Sequence, residues 1–182
     1  MTSAQAATSG APTTTREHVD LLSTLAKVRN FLRFTTRDLT DEQARRRTTA
    51  SELCLGGLVK HVTSAEQGWV DFIVRGTAAK KDFSEMTEED YAERAAEFRL
   101  LPDETLAGVL DEYAEVARRT DELVGAGLDL DAAHQLPEAP WFESGAQWSN
   151  RQVLLHIIAE TAQHAGHADI IRESLDGAKT MG

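Results

Sequence analysis

The chain has 182 residues, of which 41% are hydrophobic and 27% charged, and its formal net charge is -11. This length and composition fit one globular domain with its own core and exclude a disordered chain. The acidic balance argues against nucleic acid and anionic membrane surfaces as partners, because both carry negative charge.

No apolar run approaches the roughly 18 residues that a membrane-spanning helix needs. The N-terminal stretch MTSAQAATSGAPTTT has neither the basic region nor the apolar segment of a secretory signal. We expect residues 1–15 to form a disordered tail, followed by a single domain at residues 16–182. The single cysteine, Cys54, excludes an internal disulfide and a cysteine-based metal cage. These features together predict a cytoplasmic protein.

The first two predicted helices are long. Leucine and valine recur at helical spacing from Leu21 to Leu32, which places the first helix at about residues 16–38. A polar connection follows, and a second helix is predicted from Ser51 to about Arg75. Gly56 and Gly57 lie early in this helix, where each costs about 1 kcal/mol relative to alanine. Their presence indicates a close contact with another helix.

The second half of the chain alternates loops and helices. Residues 77–86 are predicted to be a loop and residues 87–99 a polar, mostly exposed helix. A third long helix begins near Pro102 and ends at Gly125 and Gly127. Residues 127–147 show no periodicity and are predicted to form a long surface loop.

The last helix is predicted at about residues 150–175, capped by Ser149 and followed by Gly177. The sum is an all-α four-helix bundle with long connections, without a convincing strand.

The last helix carries ionisable groups on its apolar face. At 100° per residue, His156, Glu160, His164 and His167 fall within an arc of about 80°. A carboxylate buried alone costs several kcal/mol, so a face of this kind needs either water or a cation.

A partner residue lies on the second helix, where His61 shares an otherwise apolar side with Leu58 and Phe72. Two facing bundle helices can therefore form a three-ligand pocket from His61, Glu160 and His164. Two histidines and a carboxylate leave a coordination position open, as in catalytic zinc sites, although Ni²⁺ or Fe²⁺ could use the same ligands. Taken alone, His61 has a simpler explanation as a hydrogen-bonded core histidine. Glu160 and His164 alone could equally be a pair on a helix surface. Their joint occurrence favours a metal.

The third ligand has two candidates, because Glu160 and His167 both neighbour His164. We prefer Glu160 and place His167 behind the ligands or in the substrate pocket. Of the remaining histidines, His156 is expected to make a structural hydrogen bond, His134 to lie in a loop and His18 to be exposed.

The sequences LGGLVKHVTSAEQGWV in the second helix and SNRQVLLHIIAETAQHAGHADIIRESLDG in the last helix resemble the DinB/YfiT-like superfamily over residues 18–177. That superfamily often carries His-x-x-x-His followed by Arg-Gly-Gln. Matching this pattern puts Glu160 on the first His, His164 on the second and His167 on the Gln. The mycothiol-dependent maleylpyruvate isomerases of the superfamily look similar, with Glu at the first position. The resemblance therefore supports Glu160 as a ligand.

The resemblance implies a metal-dependent transferase that moves a low-molecular-weight thiol, such as mycothiol, onto a small electrophile through a metal-bound thiolate. His61, Glu160 and His164 would hold the ion, most simply Zn²⁺, and His167 would be a catalytic residue that orients a substrate or shuttles a proton. Trp69 and Trp148 could line the pocket mouth or serve only in packing.

Two alternatives remain open. One is a metal hydrolase in which His167 acts as base on a bound water. The other is a bundle without catalysis that binds a metal or small ligand, or only dimerises. Bundles of the superfamily often pair, and the sequence leaves a homodimer open.

Overall fold

A computed structural model of the chain describes residues 13–180 and is an all-α bundle with one small strand pair, which confirms the predicted fold class. Most of the predicted tail, residues 1–12, lies outside the described residues. The helices are α1 (Arg16–Thr35), α2 (Asp41–Arg45), α3 (Leu55–Arg75), α4 (Glu88–Glu97), α5 (Leu106–Gly125) and α6 (Asn150–Asp176). Two short 3-10 turns, Gly76–Ala79 and Phe83–Glu85, connect α3 to α4.

The four long helices form a ring in which α1 packs against α6 and α5, and α3 packs against the same two helices. Helices α1 and α6 run parallel, because Arg151 pairs with Glu17 near their first residues and Arg172 donates to the carbonyl of Thr35 near their ends. Within residues 13–180, no helix is both long and apolar enough to cross a membrane.

Helices α3 and α5 also run parallel to each other. Lys60 pairs with Glu104 toward one end of the bundle, and Thr120 donates to Glu66 further along both helices. The chain must therefore return over the length of the bundle between α3 and α5. Residues 76–105 make this return and carry α4.

Helix α6 has the capping residues that were predicted, whereas the start of α3 differs from the prediction by a few residues. Ser149 accepts a hydrogen bond from the backbone N–H of Gln152, and Gly177 ends α6 with a left-handed φ of 80°. Helix α3 begins at Leu55 rather than at Ser51, and Cys54 is its capping residue. The polar residues that precede Cys54 bend away instead of extending the helix.

The prediction that residues 127–147 form a plain surface loop without a strand was wrong. Strand β1 (Ala133–Gln135) pairs antiparallel with β2 (Gln147–Ser149), with His134 opposite Trp148. Leu130 and Leu136 are buried on either side of β1. Three residues are too few for an alternating pattern to be visible in the sequence.

His18 is buried, contrary to the expectation that it would be exposed. Its Nε2 lies 2.8 Å from the carbonyl oxygen of Leu128, and its Nδ1 accepts from the backbone N–H of Thr15 at 3.1 Å. The imidazole therefore caps the start of α1 and ties it to the chain segment after α5.

The centre of the bundle holds a buried ion pair that lies between two apolar clusters. The guanidinium of Arg29 in α1 makes two hydrogen bonds to the carboxylate of Glu66 in α3, and Thr120 in α5 donates to the same carboxylate at 2.6 Å. Arg29 also reaches Asp121 at 2.8 Å. One carboxylate thus joins three helices. Because a buried charge is tolerated only when it is paired, these contacts fix the positions of the three helices along the bundle axis.

The glycine pair of α3 has the predicted close contact, although with the segment after α4 rather than with another helix. A Cβ on Gly57 would lie 2.0 Å from the carbonyl oxygen of Phe98, and one on Gly56 would lie 2.9 Å from the Cβ of Leu100. Lys60, one turn further along α3, donates to the carbonyls of Ala96 and Arg99. The end of the return segment is therefore seated directly on the α3 backbone.

Gly57→Ala should lower the free energy of unfolding by about 1–3 kcal/mol, because the Phe98 backbone must move to make room for the methyl group. Urea denaturation of both proteins gives this value. Gly166→Ala is the matched control, since no heavy atom lies within 4 Å of its Cβ position. That variant should be neutral or up to about 1 kcal/mol more stable. Equal stability of the two variants would show that the segment after α4 yields freely.

Candidate metal centre

The structure brings together the three predicted ligands, His61 from α3 and Glu160 and His164 from α6. Their candidate ligand atoms all lie within 4.8 Å of one another. Oε1 of Glu160 is 3.2 Å from Nε2 of His61 and 3.3 Å from Nε2 of His164. His61 is buried, and the other two are half-buried, so the cluster is partly open to solvent along the line where α3 and α6 face each other, here called the groove.

These separations suit a tetrahedral divalent ion. Bonds of about 2.1 Å from zinc to nitrogen and oxygen place neighbouring ligand atoms about 3.4 Å apart. Two imidazoles and one carboxylate also leave a fourth position for a substrate atom. The donor set and its spacing therefore fit the predicted ion, and only small movements would bring all three atoms to bonding distance.

The surroundings of His61 supply a second argument for a cation. Its Nδ1 lies 3.4 Å from Oε2 of Glu97, while its Nε2 faces Glu160. A neutral imidazole carries a proton on one nitrogen only and leaves a lone pair on the other. Carboxylates on both nitrogens therefore require either a doubly protonated ring or a cation between Nε2 and Glu160.

The ionisation states of Glu160 and His164 agree with metal binding. Burial alone would raise the pKa of Glu160, but the hydrogen bond from His61 and the charge that His164 carries at acidic pH hold it below its ordinary value. Burial, with His61 nearby, lowers the pKa of His164. The carboxylate is thus ionised and the His164 ring uncharged at neutral pH, which are the forms that bind a metal.

Glu97, the last residue of α4, is a member of the site that the sequence did not reveal. Its carboxylate accepts from Ser64 at 2.6 Å as well as facing His61. Burial would raise the pKa of Glu97, and these contacts lower it. A carboxylate behind a metal-binding histidine fixes the ring orientation and leaves the opposite nitrogen free to bind. The position at the end of a helix with many acidic residues gave no signal of this role.

Phe98 holds the His61 ring from a third direction. Its ring stacks on the imidazole with the centroids 4.1 Å apart and an angle of 24° between the planes. Because Phe98 is also the residue whose carbonyl lies over Gly57, the close approach to α3 and the orientation of His61 depend on the same segment.

His167 lies behind His164 rather than among the three grouped ligands. The two Nδ1 atoms are 3.4 Å apart, so one ring can donate to the other. When His164 is the donor in this contact, its proton lies on Nδ1 and its Nε2 is free toward Glu160. The role of His167 stays a prediction.

The groove continues from the cluster toward an aromatic group on α3, β2 and α6. The rings of Trp69 and Trp148 stack with centroids 4.9 Å apart, and the ring of His156 lies about equally close to both. The contacts of the His156 ring within residues 13–180 are with these indoles, instead of the structural hydrogen bond that was expected. Both tryptophans pack on the core and are only partly buried, which agrees with the packing role considered for them. Their part in a pocket mouth stays a prediction.

A polar cavity of about 380 Å³ opens on the other side of Glu97. Residues of α3, α4 and α5 form its wall: Lys60, Thr63, Ser64, Gln67, Gly68, Asp71, Glu97 and Glu112. Hydroxyl, amide and carboxylate groups thus surround a space that shares Glu97 with the surroundings of His61.

A comparison with sequence models of protein families gives one match over most of the chain. The model described as Mycothiol-S-transferase, a DinB-like family, matches residues 20–177. The matched range includes α3 and α6, and it confirms the resemblance to the DinB-like superfamily. A search of curated protein sequences gave no match.

Glu97→Gln should weaken Zn²⁺ binding about 10–100-fold, the effect usual for a residue that supports a ligand. The amide keeps a hydrogen-bonding group near Nδ1 but removes the charge. A competition titration with a coloured chelator measures the affinity. Glu93→Gln, which removes an exposed charge from the same helix, should bind as the wild type does. Equal affinities of all three proteins would contradict the role given to Glu97.

Proposed function

The chain belongs to the mycothiol S-transferase family, and from this premise we propose that it transfers mycothiol, or a similar low-molecular-weight thiol, to a small electrophile at a divalent ion held by His61, Glu160 and His164. The observation that carries the proposal is the convergence of two imidazole nitrogens on one carboxylate oxygen from facing helices. Zn²⁺ suits this donor set best, and Ni²⁺ or Fe²⁺ could occupy it.

A divalent ion at this place supplies positive charge that favours the thiolate, whereas a free thiol with a pKa of about 8.5 is mostly protonated at neutral pH. The chain supplies the geometry. Glu97 and Phe98 hold the His61 ring so that Nε2 faces the groove. Glu160 would contribute the negative charge that retains a cation beside the two imidazoles.

His167 acts in this proposal by positioning His164. Its Nδ1 contact keeps the imidazole in the tautomer with a free Nε2 and restricts rotation of the ring. Because its own ring is half-buried beside the cluster, it is also placed to accept or return a proton at the edge of the groove.

The polar cavity beside Glu97 supports a thiol with a hydroxyl-rich body. Mycothiol carries sugar and inositol hydroxyls, and such groups bind to carboxylate, amide and hydroxyl side chains in polar recesses. The lining of Ser64, Gln67 and Glu112 offers these partners beside Glu97, which contacts His61.

Zinc-loaded protein incubated with mycothiol and monochlorobimane should form the fluorescent thioether. In this reaction a sulfur–carbon bond forms, chloride leaves with the bonding electrons, and the thiol proton passes to solvent. His61→Ala and His164→Ala should reduce the rate to that of the uncatalysed reaction, because each removes a ligand. Glu160→Gln should weaken zinc binding by more than the factor of about 10–100 that is usual for a residue behind the ligands.

Gln163→Ala is the matched control on α6, since this side chain is exposed. It should leave zinc binding and the rate unchanged. Turnover of esters or amides without any thiol would instead support a hydrolase. A protein that binds no zinc would overturn the proposal.

His167→Ala should retain zinc binding within a few-fold and lower kcat for thioether formation. His167→Gln, whose amide oxygen can accept from Nδ1–H of His164, should restore part of the rate, whereas a role in packing alone would not depend on this hydrogen bond. Loss of zinc equal to that of His164→Ala would make His167 a ligand instead.

A further inference from the structure

Lys80, which follows the first 3-10 turn after α3, is a half-buried cation at the side of the groove. Its ammonium lies over the ring of Trp69, 4.1 Å from the centroid. Its Nζ is also 3.5 Å from the position that a Cβ on Gly68 would occupy. No carboxylate of residues 13–180 comes within ion-pair distance of Lys80, although the chain has 30 acidic residues against 19 basic ones.

This lysine and the candidate metal centre share one groove. Gly68 follows His61 by seven residues, which places it on the same face of α3 about 10 Å further along the helix. On the opposite wall, His156 precedes Glu160 by one turn, and its ring lies 5.0 Å from that of Trp69. The ammonium therefore lies about two helical turns from the three ligands.

The charges around Lys80 leave room for an anion. Burial lowers the pKa of Lys80 to about 8, and the exposed Arg94 on α4 acts in the same direction. Asp71 is the acid that acts against them, and it pairs with Arg75 at 3.3 Å. A half-buried cation without a carboxylate partner gains most from a ligand that brings one.

We propose that Lys80 binds a carboxylate of the electrophilic substrate and so directs the enzyme toward anionic electrophiles. The inference rests on the proposed function, because it takes the ligand of Lys80 to be the electrophile that receives the thiol. Mycothiol has no carboxylate, since the carboxyl group of its cysteine is in an amide bond, so the anion belongs to the electrophile. The flat surface of Trp69 beneath the ammonium suits a planar or aromatic body between the carboxylate and the reacting carbon.

The spacing of Lys80 and the three candidate ligands, about two helical turns, selects the probe. The sulfur and its new bond to carbon take up part of this distance at one end. At the other end, the hydrogen bond between ammonium and carboxylate takes up a further part. One benzene ring spans the remainder, which makes 4-(chloromethyl)benzoate a suitable electrophile and its methyl ester a neutral match. The sulfur forms a bond to the benzylic carbon, chloride departs with the electron pair, the thiol proton passes to solvent, and the carboxylate is unchanged.

With zinc-loaded protein and mycothiol, kcat/KM should be at least about tenfold higher for the acid than for its ester, after correction for the uncatalysed rates. Lys80→Gln should abolish this preference while leaving turnover of the ester unchanged. Lys80→Arg should keep most of it. Lys27→Gln is the matched control, because Lys27 is exposed and its ammonium lies over the ring of Phe31 on the other side of the bundle.

Binding without turnover gives an independent measurement. The unreactive 4-methylbenzoate should bind both metal-free and zinc-loaded protein, as followed by calorimetry and by tryptophan fluorescence. Lys80→Gln should weaken this binding about tenfold or more. The affinity should fall as the pH rises through about 8, because the ammonium then loses its proton. Methyl 4-methylbenzoate should show no such dependence on pH or on Lys80.

The two measurements separate the possible failures. Carboxylate binding that requires Lys80, without thioether formation from either electrophile, would overturn the thiol transfer and keep the anion site. Transfer at equal rates for acid and ester, unchanged in Lys80→Gln, would keep the transferase and overturn the anion site. An equal fall in kcat/KM for both electrophiles in Lys80→Gln would assign the lysine a structural role and also overturn the proposal.

Discussion

The close approach of residues 98–100 to the α3 backbone is the constraint on which the candidate site depends. Side chains at positions 56 and 57 would hold this segment away, and the two glycines admit it. Lys60 holds this segment against α3 by donating to the carbonyl of Arg99. In this position Glu97 contacts Nδ1 of His61, and the ring of Phe98 stacks on the imidazole. The direction of Nε2 toward Glu160 follows. A backbone contact at one end of the bundle thus decides which nitrogen of an imidazole is presented in the groove.

The helical framework and the central grouping could be predicted from the sequence because both depend on periodicity. Apolar spacing gave the long helices within a few residues. Ionisable groups on otherwise apolar faces pointed to His61, Glu160 and His164, which the structure places within reach of one ion. Their role as ligands is still a prediction. The glycine pair also indicated a close contact, although periodicity could not name the segment that makes it.

Other features could not be predicted because they depend on partners that are distant in the sequence. Glu97 is one acid among many in the polar stretch of α4, and only the path of the chain brings it to His61. Arg29 and Glu66 are ordinary charged residues of helices until the bundle closes and leaves them facing each other in its interior. His18 similarly acquires its acceptor from the chain beyond α5. Lys80 shows the reverse case, since its lack of a carboxylate partner among residues 13–180 is visible only in three dimensions.

The parallel arrangement of α3 and α5 makes residues 76–105 necessary for connectivity, and the same residues supply Lys80 at one end of the groove and Glu97 at the other. A relative with a longer or shorter return path could shift one of these two side chains against the other while α3 and α6 stayed in place. Insertions and deletions in this connecting segment would then change the preferred substrate length or the ion affinity from one relative to another. The residues that hold the ion would stay the same.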